Sequence, residues 1–213
     1  MTDALPFGPL IGESEPKIIL ASASQTRTNL LSAAGVPHVV EPSNIDEEEF
    51  KVSMKEVGAP AIDVAEVLAE AKAMSVSRKK PGKLVVGADQ VLVCQDKIFS
   101  KPIDRSDALM QLQALRGQVH ELISYAVIVL DSERIWQAFS SAELTVRPDV
   151  TDTFLNEYLD AAGTDIFNGP GGYRVESIGV QLFSDINGSH FTVLGLPLLA
   201  LLEYLRMRSI LAT

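Results

Sequence analysis

Apolar and polar positions fall into blocks along this chain, and the length and period of each block separate strands from helices. Lys17 to Ala21 (KIILA) is a continuous apolar run of strand length, followed by Ser22, Ala23 and Ser24, which suit a helix start. The helix predicted from there runs from Gln25 to Ala34 with Leu30, Leu31 and Ala34 inward, and Gly35 ends it. Val36 to Glu41 reads as a second strand, and Asn44 to Glu49 as an acidic turn. Ala61 to Arg78 carries Val64, Val67, Leu68 and Ala71 at helical spacing, and Pro81-Gly82 stops it. Leu84 to Val93 is apolar on both sides of Asp89-Gln90, which predicts strand buried on both faces with a polar interruption.

Beyond that point the pattern continues to alternate. Asp104 to Arg116 reads as a helix with an Asp-x-x-Asp start, inward Ala108, Leu109, Leu112 and Leu115, and Gly117 past its end. Val119 to Leu130 and Arg134 to Arg147 read as a hairpin joined by Asp131-Ser132-Glu133, with Arg134 expected to lie away from any cleft. Asp152 to Ala161 is a short helix, Thr164 to Gly172 an irregular Gly-rich loop, and Leu198 to Leu205 the apolar face of a final helix opened by Pro197. The expectation is an α/β fold over residues 17–213 preceded by a flexible tail over residues 1–16.

Composition narrows the classes of function. The 213 residues are 46% hydrophobic and 22% charged, the balance of a globular domain with its own core. Eighteen Lys and Arg against twenty-eight Asp and Glu give a formal charge of −10, so nucleic-acid polymers are repelled, while a small phosphorylated ligand needs only a local cluster of cations. Cys94 stands alone, which excludes an intramolecular disulfide and fits a reducing compartment. The N-terminus carries no basic segment followed by an apolar run, and the longest apolar stretch, Val193 to Leu202, is broken by Gly195 and Pro197. A cytoplasmic protein with no membrane contact is expected.

Three groups of residues could carry chemistry. In Leu20 to Arg27 (LASASQTR) a strand ends in small hydroxyl residues and a helix begins with Arg27 in its first turn, so backbone N–H groups, helix dipole and guanidinium converge where a phosphate could sit. An ordinary serine cap with a solvated arginine is the alternative. Asp46 and Glu47 on the acidic turn, with Asp89 in the buried strand, could share a divalent cation, Mg²⁺ or Mn²⁺; a solvated acidic turn is the alternative for Asp46 to Glu49. Asp89 is too closely flanked by apolar residues for a casual surface position. Lys101-Pro102 follows a hairpin turning at Gln95-Asp96, which returns Lys101 towards Asp89. Lys72 could add a cation, although its helix position alone suggests a surface lysine, and His120 reads as structural because it opens a predicted strand.

The strings LASASQTR, IDE at Ile45 to Glu47, GADQ at Gly87 to Gln90, Lys101-Pro102, LRGQVHELIS at Leu115 to Ser124 and GLPL at Gly195 to Leu198 resemble the successive blocks of the Maf family, in its order and spacing. The resemblance implies a mixed α/β fold of two lobes around a cleft, a homodimer, and metal-dependent hydrolysis of a nucleoside triphosphate to monophosphate and pyrophosphate. It also implies roles. Asp89 matches the proton acceptor and Glu47 the acidic residue beside the metal. Lys101 belongs with them in the catalytic group and, with Ser22, Arg27 and Lys72, binds phosphate.

Family positions tied to substrate choice fall on Thr26, Gln90 and Glu176. Gln90 and Glu176 are similar to the branch that accepts 7-methyl-GTP; the branch that accepts dTTP and UTP more often has Thr and Gln there. Thr26 matches neither, because Gln25-Thr26-Arg27 replaces the commoner Pro-Arg-Arg. Two other functions compete with this one: a phosphatase releasing inorganic phosphate, and a nucleotide-binding regulator of septation without turnover.

Overall fold

The computed structural model describes residues 18–212; the tail expected over residues 1–16, together with Lys17 and Thr213, lies outside the described residues. The chain runs β1 (Ile18–Leu20), α1 (Gln25–Ala33), β2 (His38–Val40), α2 (Glu47–Glu56), α3 (Ala61–Ser77), β3 (Leu84–Cys94), β4 (Lys97–Phe99), α4 (Arg105–Leu115), β5 (Val119–Leu130), β6 (Glu133–Val146) and α5 (Asp152–Ala162). Three 3₁₀ turns, Gly163–Phe167, Pro170–Gly172 and Ile178–Leu182, lead into β7 (Phe183–Gly188), α6 (His190–Val193) and α7 (Leu198–Met207).

Local chemistry explains most boundaries. The side chains of Ser24, Asp104 and Thr151 each accept a hydrogen bond from a first-turn N–H, and so cap α1, α4 and α5. Both hairpins turn on two residues of positive φ, Gln95-Asp96 (50° and 60°) and Asp131-Ser132 (50° and 65°), the backbone that matches the twist of flanking strands. Glu133 therefore belongs to β6 rather than to the turn.

Several elements differ from expectation. The acidic turn is the start of a helix: the Asp46 carboxylate accepts from the Glu48 and Glu49 N–H groups, and Glu47, Glu48 and Glu49 lie at the positive end of the α2 dipole. Asp46 is thus a cap and not a cleft carboxylate. Helix α2 escaped the hydrophobic pattern because none of its residues is fully buried; only Phe50 and Met54, one turn apart, pack on the core. β2 is shorter than Val36 to Glu41, and β7 is a polar, exposed strand without alternating hydrophobics, formed by pairing with β6 across Ala142 to Val146. The Gly-rich loop contains two of the 3₁₀ turns.

The sheet is mixed and has seven strands, ordered β2-β1-β3-β5-β6-β7 with β4 also on β3. β2, β1 and the start of β3 are parallel, and the remaining pairs are antiparallel. The polar interruption expected in β3 lies beside it instead. β3 is continuous over 11 residues and pairs with β5 from Val85 to Val93 along one edge. Along the other edge, β1 pairs only as far as Val86 and β4 begins only at Leu92. The edge from Gly87 to Val91 therefore faces a notch, and the chain leaving β1 and the chain leaving β4 both run towards it. Asp89 sits in the middle of that notch.

The core divides around the sheet. One cluster lies between β3, β5 and the face of α3 that carries Val64, Leu68, Ala69, Ala73 and Val76. A second joins the opposite face to α1 and α7 through Leu30, Leu31, Leu198, Leu201 and Leu205. The third fills the far end beneath α4 and α5, with Leu112, Leu115, Leu155 and Leu159.

Gly87 sets how closely α3 approaches β3. A Cβ there would clash with the Ala69 carbonyl oxygen and lie 2.8 Å from the Ala73 Cβ, so no side chain fits. Gly87→Ala is expected to force the two elements apart and lower stability by about 1–3 kcal/mol. Urea denaturation would show a lower midpoint with an unchanged slope; an unaltered midpoint would mean that α3 is free to move.

Candidate active site

Strand alternation divides the Asp89-Gln90 pair between the two faces of the sheet. Asp89, in phase with Val85 and Gly87, points towards α3 and meets Lys72, whose Nζ donates to Asp89 Oδ1 at 2.6 Å. The same ammonium is 2.9 Å from Glu47 Oε1 at the start of α2. Lys72 lies one turn from Leu68 and Ala69 on the buried face of α3, and only 5% of it is exposed; the surface position suggested by its helix alone is corrected accordingly. Two carboxylates sharing one buried ammonium compensate a charge that would otherwise be strongly unfavourable there. Burial tends to raise the Glu47 carboxyl pKa, but Lys72, with Lys101 and Lys51 behind it, outweighs burial and holds it below the usual carboxylate range.

Further cations surround this floor. Arg27, in the first turn of α1, is buried; its Nε donates to the Gly195 carbonyl at 2.8 Å and its Nη1 to Ser22 Oγ at 3.1 Å. Burial lowers the pKa of its guanidinium, opposed by the charges of Asp89 and Glu47. Ser22 Oγ also accepts from the Ser24 N–H at 3.2 Å, so this hydroxyl organises the loop and Arg27, while Ser24 and Arg27 line the cleft. Lys101 lines the opposite wall, exposed, where the β3–β4 register continued by two residues would set it beside Gln90. Lys51 stands one turn after Glu47 on α2, also on the cleft, with its Nζ 2.7 Å from Glu48 Oε1.

Thr26, Gln90 and Glu176, the positions that the resemblance ties to substrate choice, are distributed differently. Gln90 points away from Asp89, and its Nε2 donates to the Thr192 and Val193 carbonyls at 2.8 and 3.1 Å and to Ser124 Oγ at 3.2 Å, so its amide group anchors α6. Thr26 and Glu176 meet across the cleft mouth, where Thr26 Oγ1 is 3.4 Å from Glu176 Oε1. Arg174 joins both, with Nη2 at 2.7 Å from Glu176 Oε1 and 3.2 Å from Thr26 Oγ1.

The match with known proteins agrees with this arrangement. Residues 17–208 match the family described as Maf-like protein. The chain belongs to the Maf family. It is 46% identical over 191 residues to a protein of Roseobacter denitrificans named nucleoside triphosphate pyrophosphatase, covering 90% of this chain and 96% of that one. A protein of Paramagnetospirillum magneticum with the same name is 45% identical over 188 residues, covering 88% and 96%. A protein of Brucella abortus named 7-methyl-GTP pyrophosphatase is 43% identical over 190 residues, covering 89% and 95%.

In this Maf protein the strings read along the chain converge on the notch: the first block through Arg27, the acidic block through Glu47, the third through Asp89 and the fourth through Lys101. Two cations of the cleft, Lys51 and Arg174, were not read from sequence. Lys51 would follow from Glu47 by helical spacing once α2 is recognised, and the Asp46-x-x-Glu49 pattern is the cue for that helix. Arg174 had no cue, because it reaches the site through an irregular segment. Arg134 pairs with Glu66 and Glu70 of α3 at 2.6 and 2.9 Å, away from the cleft, so it ties β6 to α3 instead of lying idle on a turn.

Glu47 and Asp89 are the groups that would hold a divalent cation. Glu47 Oε1 and Asp89 Oδ1 both lie within 3 Å of the Lys72 ammonium, so the two carboxylates are neighbours and a cation would be held through the oxygens that Lys72 does not engage. No cluster of three or more His, Cys, Asp or Glu suited to a metal occurs among the described residues. Two carboxylates completed by phosphate oxygens and water are a donor set that Mg²⁺ accepts. No helix among the described residues is long and apolar enough to cross a membrane.

His120 lies outside this chemistry. It is 2% exposed, its Nε2 is 2.7 Å from the Tyr173 hydroxyl, its ring packs near Phe183, and its Nδ1 has no partner. Burial pushes its pKa down to about 4 from the ordinary 6.5. The unfolded chain therefore takes up this proton first, and the stability due to neutral His120 is fully present above about pH 6.5 and lost as pH falls towards about 4. The loss amounts to about 3 kcal/mol. His120→Gln should flatten the stability profile in that window, measured by denaturant midpoints at several pH values, while leaving turnover above pH 7 within a few-fold.

Proposed function

We propose that this chain is a nucleoside triphosphate pyrophosphatase that hydrolyses the α–β phosphoanhydride of standard or modified nucleotides, releasing monophosphate and pyrophosphate. The observation that carries the reading is the buried Asp89–Lys72 pair, joined by the half-exposed Glu47 and open to a cleft lined by Arg27, Lys51 and Lys101. A polyanion needs that lining of positive charge, and a reaction at phosphorus needs a base held beside it. The curated relatives with this activity, at more than 40% identity over most of both chains, support the same reading. The resemblance also brings a cytoplasmic location and a homodimeric state into the proposal.

Asp89 acts as the proton acceptor. Its Oδ1 is engaged by Lys72, whereas Oδ2 takes no hydrogen bond from the described residues and is free to accept a proton from water. Water attacks the α phosphorus, its proton passes to Asp89, the bond between the α phosphorus and the bridging oxygen breaks, and pyrophosphate departs with that oxygen. Lys101 and Lys51, which lie on the same side of the cleft with Lys51 Nζ 3.5 Å from Ser100 Oγ, neutralise charge on the triphosphate, and Arg27 holds the α1 end of the site in place. A divalent cation held by Glu47 and Asp89, when bound, supplies further neutralisation of the phosphate oxygens.

Product analysis separates this reading from its rivals. With a panel of nucleoside triphosphates and Mg²⁺ or Mn²⁺, pyrophosphate should appear in equal amount to monophosphate; inorganic phosphate as the first product would indicate a phosphatase, and binding without products a regulator. Asp89→Asn removes the base while Glu47 still pairs Lys72, so the protein should remain folded and turnover should fall about a hundredfold to ten-thousandfold. A folded variant retaining half the wild-type rate at saturating metal would remove Asp89 from the mechanism.

A further inference from the structure

Arg174 lies in the segment between the second and third 3₁₀ turns, two residues before Glu176. The turn that follows it is tightly closed: the Ser177 N–H and hydroxyl both donate to the Arg174 carbonyl, at 3.4 and 3.2 Å. A Cβ on Gly179 would strike that same carbonyl and lie 2.9 Å from the Arg174 N, so the backbone of Gly179 packs directly on Arg174. The result is that the Arg174 and Glu176 side chains emerge on one side, facing α1.

Their contact is unusual for an arginine and a carboxylate. A guanidinium commonly spans both oxygens of its partner. Here Nε and Nη2 both donate to Oε1, at 3.0 and 2.7 Å, and Thr26 Oγ1 approaches the same oxygen. Oε2 accepts no hydrogen bond from the described residues. An exposed ion pair between residues two apart would normally contribute little. Thr26, 148 residues distant in sequence, binds Arg174 as well and ties the pair to the first turn of α1, so the carboxylate is held at three points. A side chain held this way presents one fixed acceptor and loses little freedom on binding.

We propose that Arg174 is a specificity-positioning residue: by engaging Glu176 Oε1 it fixes Oε2 as the acceptor that selects guanine-type bases over pyrimidines. Guanine and its N7-methylated form carry a ring N–H beside an exocyclic amino group, two adjacent donors for one carboxylate oxygen. Uracil and thymine carry a single N–H between two carbonyl oxygens, so a fixed Oε2 meets an acceptor on either side of the donor. Rejection of a mismatched polar edge requires that the carboxylate not rotate away, and Arg174 supplies that restraint. The inference rests on the pyrophosphatase reading for its substrate class and on the Arg174–Glu176–Thr26 geometry for the residue.

The test compares kcat/KM for 7-methyl-GTP, GTP, UTP and dTTP in wild type, Arg174→Ala, Arg174→Lys, Glu176→Gln and the double variant Arg174→Ala/Glu176→Gln. Wild type should favour the guanine-type substrates, and Arg174→Ala should lower the guanine-to-pyrimidine ratio about tenfold to a hundredfold, mainly through KM. Arg174→Lys, which keeps the charge but offers one point of contact, should fall between, and it carries the test if the alanine variant does not fold. The double variant should show the same ratio as Glu176→Gln, because a residue acting through another adds nothing once that partner is changed. Equal loss on all four nucleotides, additive effects in the double variant, or a wild type without preference for guanine would each overturn the proposal. Calorimetric binding of 7-methyl-GMP and UMP gives the same ratio without turnover. If wild type releases no pyrophosphate, the pyrophosphatase reading falls, while these affinities still decide the role of Arg174.

Discussion

The Lys72 ammonium, shared between Asp89 and Glu47, is the contact around which the cleft is organised. It joins three consecutive elements: the first turn of α2, the buried face of α3 and the middle of β3. Lys72 and Asp89 are the buried charges and compensate each other, while the half-exposed Glu47 adds a second carboxylate to the same ammonium. The geometry depends in turn on Gly87, which lets α3 lie against β3 closely enough for Lys72 to reach Asp89. Backbone packing and electrostatics are therefore one constraint here.

The same arrangement explains how a chain of formal charge −10 can present a site for a polyanion. Arg27, Lys51, Lys72, Lys101 and Arg174 all reach the notch beside β3, coming from four helices or turns and from the end of a strand hairpin. Acidic residues elsewhere disfavour long nucleic acids without weakening this local field, because charges separated by more than about 10 Å are screened in salt. The notch itself arises from strand lengths: β1 stops and β4 starts with five residues of β3 left between them, Gly87 to Val91.

Much of this was legible in the sequence, for physical reasons that differ by element. β3, β5, α3 and α7 have long apolar patterns, and the turn residues at Gln95-Asp96 and Asp131-Ser132 mark the hairpins directly. Asp89 drew attention as a carboxylate in an apolar run. What stayed hidden was carried by contact, not by pattern. The burial of Lys72 depends on a partner strand, the anchoring of α6 by Gln90 on a carbonyl a hundred residues away, and the position of Arg174 on an irregular turn. Helix α2 was missed because its start is set by the Asp46 cap and its burial is slight. The β3 interruption was read on the correct residues but belongs to the neighbouring strands.

The Asp46 cap couples chemistry to the fraying of a helix end. Glu47 is the first residue of α2, and no residue of that helix is fully buried, so its first turn opens at low free energy compared with α3 or β3. Each such opening carries the Glu47 carboxylate away from Lys72. The share of molecules with a complete acidic pair is then a local equilibrium, separate from global folding, which temperature or a contact on the outer face of α2 would shift without moving the rest of the sheet.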